Sequence, residues 1–88
     1  MNDKWWFRDG FLGLTTAAVA RLGVVWNFIP RKTDNLSIGV PFLNIESSRS
    51  LGPLVSPIDG KVVAWNDNLL DNPDQLTNET WIVKVEQP

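Results

Sequence analysis

Residues 45–60 read Ile-Glu-Ser-Ser-Arg-Ser-Leu-Gly-Pro-Leu-Val-Ser-Pro-Ile-Asp-Gly, and this stretch decides the fold. An apolar run leads into it, the polar residues 46–50 interrupt it, and a second apolar run leaves through Ser-Pro-Ile-Asp-Gly. Two apolar runs around a short polar tip are typical of a β-hairpin that presents its tip to solvent. The segment therefore predicts a hairpin with Arg49 at its tip.

The chain before this hairpin opens with a second predicted hairpin. Residues 4–8 are aromatic, residues 11–14 are apolar, and a turn pair, Asp9-Gly10, lies between them. This order predicts two short antiparallel strands. Side chains alternate along a strand, so one of Trp5 and Trp6 should point away from the core, where it would either pack beneath the terminus or contact a partner.

A short helix is predicted near residues 16–22. The threonine pair at 15–16 supplies an N-cap, alanine-rich residues follow, and Gly23 stands just after the last turn. These are the start and stop signals of a helix of about two turns. Arg21 should face outward. Three residues should face the core: Ala18, Val19 and Leu22.

The rest of the chain reads as short strands joined by turns. Strands are predicted at 24–29, 36–42, 61–65 and 81–85. Residues 36–42 alternate with period 2, and Pro41 within them indicates a sheet edge or a bulge. The polar segment 66–80 is expected to be a loop anchored by Leu69, Leu70 and Leu76. Three tryptophans of the strands are expected in the core or on a sheet face: Trp26, Trp65 and Trp81.

Many short strands and one short helix predict an all-β sandwich or flattened barrel. At 88 residues the chain should form a single domain over 1–88.

The composition of the chain argues against several classes of function. The net charge is −2 and the basic residues are scattered, which argues against nucleic acid as a partner. The chain has no cysteine and no histidine, so a thiolate nucleophile, the commonest general base and the commonest metal ligand are missing, and an enzyme is not expected. We see no apolar stretch long enough to span a membrane and no signal sequence, so we expect a cytoplasmic protein without membrane contact. The acidic residues near 67–79 lack EF-hand spacing, and a solvated loop is the simpler interpretation.

Motifs throughout the chain resemble the glycine cleavage H-protein family. Residues 13–23 resemble that family's Gly-(Ile/Leu)-Thr-(Asp/Asn)-x-Ala-x-x-x-Leu-Gly, and residues 45–50 resemble its lipoylation motif Val-Glu-Ser-Val-Lys-Ala. Residues 56–63 are similar to Ser-Pro-Val-Ser-Gly-Glu-Val-Val, and residues 81–85 are similar to Trp-Leu-x-Lys-Ile. The resemblance implies a lipoyl/biotinyl-like β-sandwich and a non-catalytic carrier role, with lipoate on the tip lysine.

The sequence departs from this family at the position that matters most. Arg49 stands where the family has its lipoyl lysine, ten residues after Gly39. The loop before Trp81 is shorter than the family's and lacks its Pro-Tyr-Gly segment, and the family usually has a helix beyond the position of Pro88. Acylation needs an amine that can lose its proton and attack, whereas arginine stays protonated and is a poor nucleophile. No cofactor is therefore expected on Arg49.

Three interpretations of function stay open. The first is an unmodified binding or regulatory paralogue of the carrier, with partner-binding candidates Glu46, Ser48 and Arg49 and with glycine-cleavage or lipoate-handling proteins as partners. Arg49 and Glu46 could equally be solvated charges of the hairpin. The second is a lipoyl or biotinyl carrier modified at another lysine, among Lys4, Lys32, Lys61 and Lys84. The third is a structural interaction domain unrelated to glycine cleavage.

Overall fold

The computed structural model describes residues 3–31 and 33–88. Strands dominate this described part, and the helices are short. In chain order the elements are β1 (Trp5–Arg8), β2 (Phe11–Leu14), α1 (Thr16–Leu22), β3 (Val25–Pro30), β4 (Asn35–Leu36), β5 (Pro41–Ser47), β6 (Leu51–Val55), β7 (Gly60–Trp65), α2 (Asp67–Asp71), a 3₁₀-helix (Pro73–Gln75) and β8 (Trp81–Glu86).

The strands form two antiparallel sheets. The larger sheet has the order β1-β2-β8-β7-β4, and the smaller has the order β3-β5-β6. An isolated parallel bridge joins Ile38 to Ser56 outside the named strands. This arrangement confirms the predicted all-β sandwich of the lipoyl-like type.

The core lies between the sheets, and Phe42 links them. Its ring, on the smaller sheet, stacks at 6.1 Å from the ring of Trp65 and lies 5.5 Å from the ring of Trp5, both on the larger sheet. Apolar side chains of both sheets pack around this stack and are almost fully removed from water, among them Leu12, Leu14, Leu43, Ile45, Ile82 and Val83.

The first hairpin and α1 form as predicted. Trp5 is buried, while Trp6 lies on the opposite face of β1, where its ring covers Gly13 so closely that a Cβ there would collide with it. Trp6 Nε1 donates to the Leu14 carbonyl oxygen at 3.0 Å. Trp6 is therefore the tryptophan that points away from the core, and its ring packs on Gly13 of the neighbouring strand β2.

The prediction of one strand over residues 36–42 is wrong. Gly39 has a φ of +80°, and the Val40 N–H bonds back to the Ser37 carbonyl oxygen at 3.0 Å, so a turn separates β4 from β5. Ile38 is consequently 64% exposed instead of lying on a buried face. Pro41 lies beside a register shift in the pairing of β5 with β6, which confirms the bulge, but β5 is a central strand and not an edge.

One further expectation needs correction. The segment 66–80 contains α2 and the 3₁₀-helix, so 16–22 is not the only short helix. Asn66 caps α2 by accepting from the Leu69 N–H at 3.3 Å, while Leu69 is buried and Leu70 and Leu76 pack against the core as anchors. The strand tryptophans agree with the expectation of core or sheet-face positions: Trp26 lies 58% exposed on β3 beside a bulge, and Trp65 and Trp81 are half-buried.

Candidate functional site

The hairpin of β5 and β6 presents its tip to solvent as predicted, but the tip is only three residues long, Ser48-Arg49-Ser50, because Glu46 and Ser47 belong to β5. Glu46 pairs with Leu51 as the last rung before the tip. All three tip residues are exposed. The tip nevertheless has a defined shape because hydrogen bonds hold it from two directions.

The first set of bonds closes the tip on itself through Ser47. This side chain is only 4% exposed, and its hydroxyl donates to the Ser50 carbonyl oxygen at 2.9 Å while accepting from the Ser50 N–H at 3.0 Å. The Ser47 N–H also donates to the Ser50 carbonyl oxygen at 2.9 Å. Every polar group of Ser47 that faces the turn is thereby paired, as burial requires.

The second set of bonds ties the tip to the segment between α1 and β3. The Ser48 N–H donates to the Val24 carbonyl oxygen at 2.8 Å, and the Val24 N–H donates to Ser48 Oγ at 2.9 Å. These two hydrogen bonds satisfy the main-chain N–H and carbonyl oxygen of Val24, a loop residue that precedes β3. It fixes the tip against the end of α1.

Arg49 continues this attachment. Its N–H donates to the Leu22 carbonyl oxygen at 3.3 Å, and its guanidinium Nη1 donates to the Ala20 carbonyl oxygen at 3.1 Å. The last carbonyls of a helix have no partners within it and carry partial negative charge, so a cation is favoured there. The Arg49 side chain therefore lies back along the helix end instead of extending freely into solvent.

Gly23 makes this approach possible. Its φ of +71° falls in the region that favours glycine, and a Cβ at this position would collide with Ser48 Oγ and lie 3.3 Å from Arg49 Cγ and Cδ. The sequence indicated Gly23 as the end of the helix. No feature of the sequence predicted that the hairpin tip, about 25 residues further on, packs against Gly23.

Glu46 lies on the outer face of the smaller sheet and not with Arg49 at the helix end. Its Oε1 accepts from Asn27 Nδ2 at 3.1 Å across the β3–β5 pair. Of the three predicted partner-binding residues, the structure brings Ser48 and Arg49 together and gives Glu46 a cross-strand partner of its own.

The lysines lie outside the tip. Lys4 precedes β1, Lys61 is in β7, and Lys84 is in β8 with its ammonium 5.3 Å from the centre of the Phe11 ring. Lys32 lies outside the described residues.

No described helix is long and apolar enough to cross a membrane. Across residues 3–31 and 33–88, no group of three or more potential metal-ligating side chains is placed to hold a metal ion.

Comparison with known proteins identifies the family of this chain. The family model described as glycine cleavage H-protein matches residues 2–88. The chain is 32% identical over 89 residues to a glycine cleavage system H protein of Koribacter versatilis, covering 97% of this chain and 71% of that protein. It is 37% identical over 92 residues to one of Clavibacter sepedonicus, covering 96% and 75%.

A solved structure has the same fold. The crystal structure of a glycine cleavage system H protein from Mycobacterium marinum superposes with a TM-score of 0.76 at 18% identity, over 99% of this chain and 86% of that one.

Proposed function

Because this chain belongs to the glycine cleavage H-protein family, we propose that it is a non-catalytic binding module of that family whose hairpin tip carries no lipoyl group. The observation that carries the proposal is Arg49 at the tip of an otherwise matching hairpin. Transfer of an acyl group to nitrogen requires an unprotonated lone pair, and the guanidinium group does not supply one at neutral pH.

The positions of the three described lysines support an unmodified protein. A carrier arm must reach into a partner's active site, which favours attachment at a projecting turn. Lys61 and Lys84 lie within paired strands of the larger sheet, and Lys4 lies beside the first strand. None of these three occupies the tip that the family's motif marks.

The tip supports a binding role because hydrogen bonds already fix its conformation in the free protein. Ser47 and Ser48 hold the turn by hydrogen bonds, and Arg49 uses one guanidinium nitrogen on Ala20. An arginine has five N–H donors, so several remain for a carboxylate or phosphate. A surface that is already ordered loses little conformational entropy on association.

We propose that the partners are glycine-cleavage or lipoate-handling proteins that contact this hairpin. The direct test is immobilisation of the full 88-residue chain and titration with each purified component of the glycine cleavage system and with a lipoate ligase. We expect saturable binding of at least one of them.

Two arginine variants give this experiment a matched control. Arg49→Ala removes the tip guanidinium and should weaken binding at least fivefold. Arg31→Ala removes an exposed arginine directly after β3, whereas the tip contacts the residue directly before β3. This variant should leave binding unchanged. Absence of binding to every component would instead favour a structural interaction domain unrelated to glycine cleavage.

A further inference from the structure

The outer face of the larger sheet carries aromatic rings and cations on three neighbouring strands, β1, β2 and β8. Two rows of paired residues run across these strands. The first row is Arg8–Phe11–Lys84, and the second row is Trp6–Gly13–Trp81. We call these six residues the aromatic patch. Because side chains alternate along a strand and Trp5, Leu12 and Val83 point into the core, the patch faces away from the core and from the smaller sheet.

The rings of the patch form an apolar floor. Phe11 and Trp81 meet edge to face, with their ring centres 5.1 Å apart. The ring of Trp6 lies on Gly13, where the missing side chain leaves room for it. All three rings are half-buried, so part of each stays accessible. A partner can therefore contact aromatic surface across three strands.

A cation lies on each side of this floor. The Arg8 guanidinium is 5.1 Å from the centre of the Trp6 ring, and the Lys84 ammonium is 5.3 Å from the centre of the Phe11 ring. Both residues are exposed, and among residues 3–31 and 33–88 neither has a hydrogen-bond or ion-pair partner. Their N–H donors are thus free for an anion, although the chain as a whole carries a net charge of −2.

The spacing of the two cations selects the shape of an anionic partner. Arg8 and Lys84 both pair with Phe11, from opposite sides. Neighbouring strands lie about 4.8 Å apart, so the main chains of the two cations are about 10 Å apart. A polyproline II segment advances about 3.1 Å per residue with three residues per turn, so its residues i and i+3 lie on one edge, about 9 Å apart. Acidic residues at i and i+3 of such a segment match the two cations.

We propose that the aromatic patch binds an acidic, proline-rich segment of a partner protein in the polyproline II conformation, with the pattern Glu-Pro-Pro-Glu. The two carboxylates contact Arg8 and Lys84, and the prolines pack on Phe11 and Trp81. Aromatic surfaces recognise this conformation in other domains, since it is extended and already ordered. Nucleic acid is the poorer match, because two cations neutralise few phosphates.

This inference goes beyond the proposed function, because the hairpin tip belongs to the smaller sheet and the patch to the larger one. The test is titration of the full ¹⁵N-labelled chain with the peptide Gly-Glu-Pro-Pro-Glu-Gly, acetylated and amidated so that its ends carry no charge. At low ionic strength we expect saturable shifts of the amides of Arg8, Phe11, Gly13 and Lys84 and of the Trp81 indole N–H. Added salt should weaken the binding.

Two further peptides separate the contributions of charge and of conformation. Gln-Pro-Pro-Gln in the same frame keeps the prolines without the carboxylates and should bind at least fivefold more weakly. Glu-Gly-Gly-Glu keeps both carboxylates without the prolines and should bind at least threefold more weakly, since a flexible chain loses more conformational entropy on binding.

Charge variants of the protein locate the carboxylates. Arg8→Gln and Lys84→Gln should each raise the peptide dissociation constant about two- to fivefold, the effect of losing one exposed ion pair. Arg31→Gln changes an exposed arginine whose Nε donates to Asn44 on the smaller sheet, and it should leave the dissociation constant unchanged. The amide spectrum of each variant is compared with that of the unsubstituted protein before titration, to check its fold.

The proposal is overturned by the absence of saturable peptide binding, by shifts centred away from the patch, or by equal affinity for Glu-Pro-Pro-Glu and either control peptide. Shifts at the patch that grow with protein concentration alone would assign it to a second copy of the chain and overturn it too. Binding of the single-stranded DNA hexathymidylate at the patch, without binding of the peptide, would likewise overturn it. None of these outcomes depends on whether glycine-cleavage components bind the tip, so the two proposals can fail separately.

Discussion

The guanidinium of Arg49 donates a hydrogen bond of 3.1 Å to the carbonyl oxygen of Ala20, in the last turn of α1. This bond joins the residue that we propose stands at the family's lipoyl-lysine position to the helix that precedes β3. The tip is thus a fixed part of the sandwich surface and not a free arm.

Loss of this bond should loosen the helix end. We expect Arg49→Ala to lower the free energy of unfolding by about 0.3–1 kcal/mol, the usual range for an exposed cation near a helix C-terminus. Hydrogen exchange should increase at the amides of the last turn of α1, and added salt should narrow the gap to the unsubstituted protein. Arg31→Ala serves as control and should leave exchange in α1 unchanged. Equal exchange in α1 for both variants would show that the Arg49–Ala20 bond does not stabilise the helix.

The close approach of Gly23 to Ser48 can be measured by a double-mutant cycle. We expect Gly23→Ala to cost at least about 2 kcal/mol, since it combines a strained positive φ with a collision at Ser48 Oγ. In a Ser48→Ala background the colliding oxygen is gone, so the cost of Gly23→Ala should fall by about 1 kcal/mol and the strain should remain. Urea unfolding followed by tryptophan fluorescence gives all four free energies. Strict additivity would contradict the packing of the tip on the helix end.

The N-cap of α1 offers a test of local stability with a neighbouring control. Thr15 Oγ1 accepts from the Ala18 N–H at 3.3 Å and donates to the Asp3 carbonyl oxygen at 2.6 Å. Thr15→Ala should therefore lower the free energy of unfolding by about 1–2 kcal/mol, and Thr15→Ser should recover most of the loss. Thr16→Ala changes an exposed residue within the helix and should have an effect within about 0.5 kcal/mol. Similar losses for Thr15→Ala and Thr16→Ala in thermal unfolding would mean that Thr15 does not cap the helix.

The buried hydroxyl of Ser47 should set the shape of the tip. Ser47→Ala removes two hydrogen bonds to Ser50 and should cost about 1 kcal/mol, with faster amide exchange at residues 48–50. Ser37→Ala, at an exposed serine between β4 and the Ile38 bridge, is the control and should leave the tip unchanged. Unaltered exchange in the tip of Ser47→Ala would show that the main-chain bonds alone hold it.

Local signals predicted most of the fold. Thr15 and Gly23 marked the ends of α1, and the Asp9-Gly10 turn marked the first hairpin, because caps and turns depend on a few neighbouring residues. The N-cap Asn66, followed by Asp67 and by leucines at 69 and 70, was a helix signal of the same kind, and reading it would have predicted α2.

The strand prediction failed where tertiary contacts determine the backbone conformation. Residues 36–42 alternate like a strand, but Gly39 takes a positive φ and its N–H donates to the Ser56 carbonyl oxygen at 2.9 Å, a contact across 17 positions of the chain. For Trp26 the sequence allowed either a core or a sheet-face position, and only the bulge in β3 shows that it is the exposed one. Alternation in the sequence does not reveal such bulges and turns.

The same distinction between local and tertiary features applies to the candidate site. The tip and its arginine are visible in the sequence, since they lie within one short segment. The contact of Arg49 with Ala20 is not, because these two residues come from separate elements that only the fold brings together.

The most direct test of the central claim is the intact mass of the full chain after co-expression with a lipoate ligase and supplied lipoate. We expect the mass calculated from the sequence, while Arg49→Lys under the same conditions should gain the mass of one lipoyl group at residue 49. An Arg49→Lys variant that stays unmodified would show that the residues around the tip have also lost recognition by the ligase. A lipoyl mass increase on the unsubstituted protein, at any residue, would contradict the claim that this H-protein-like chain is unmodified.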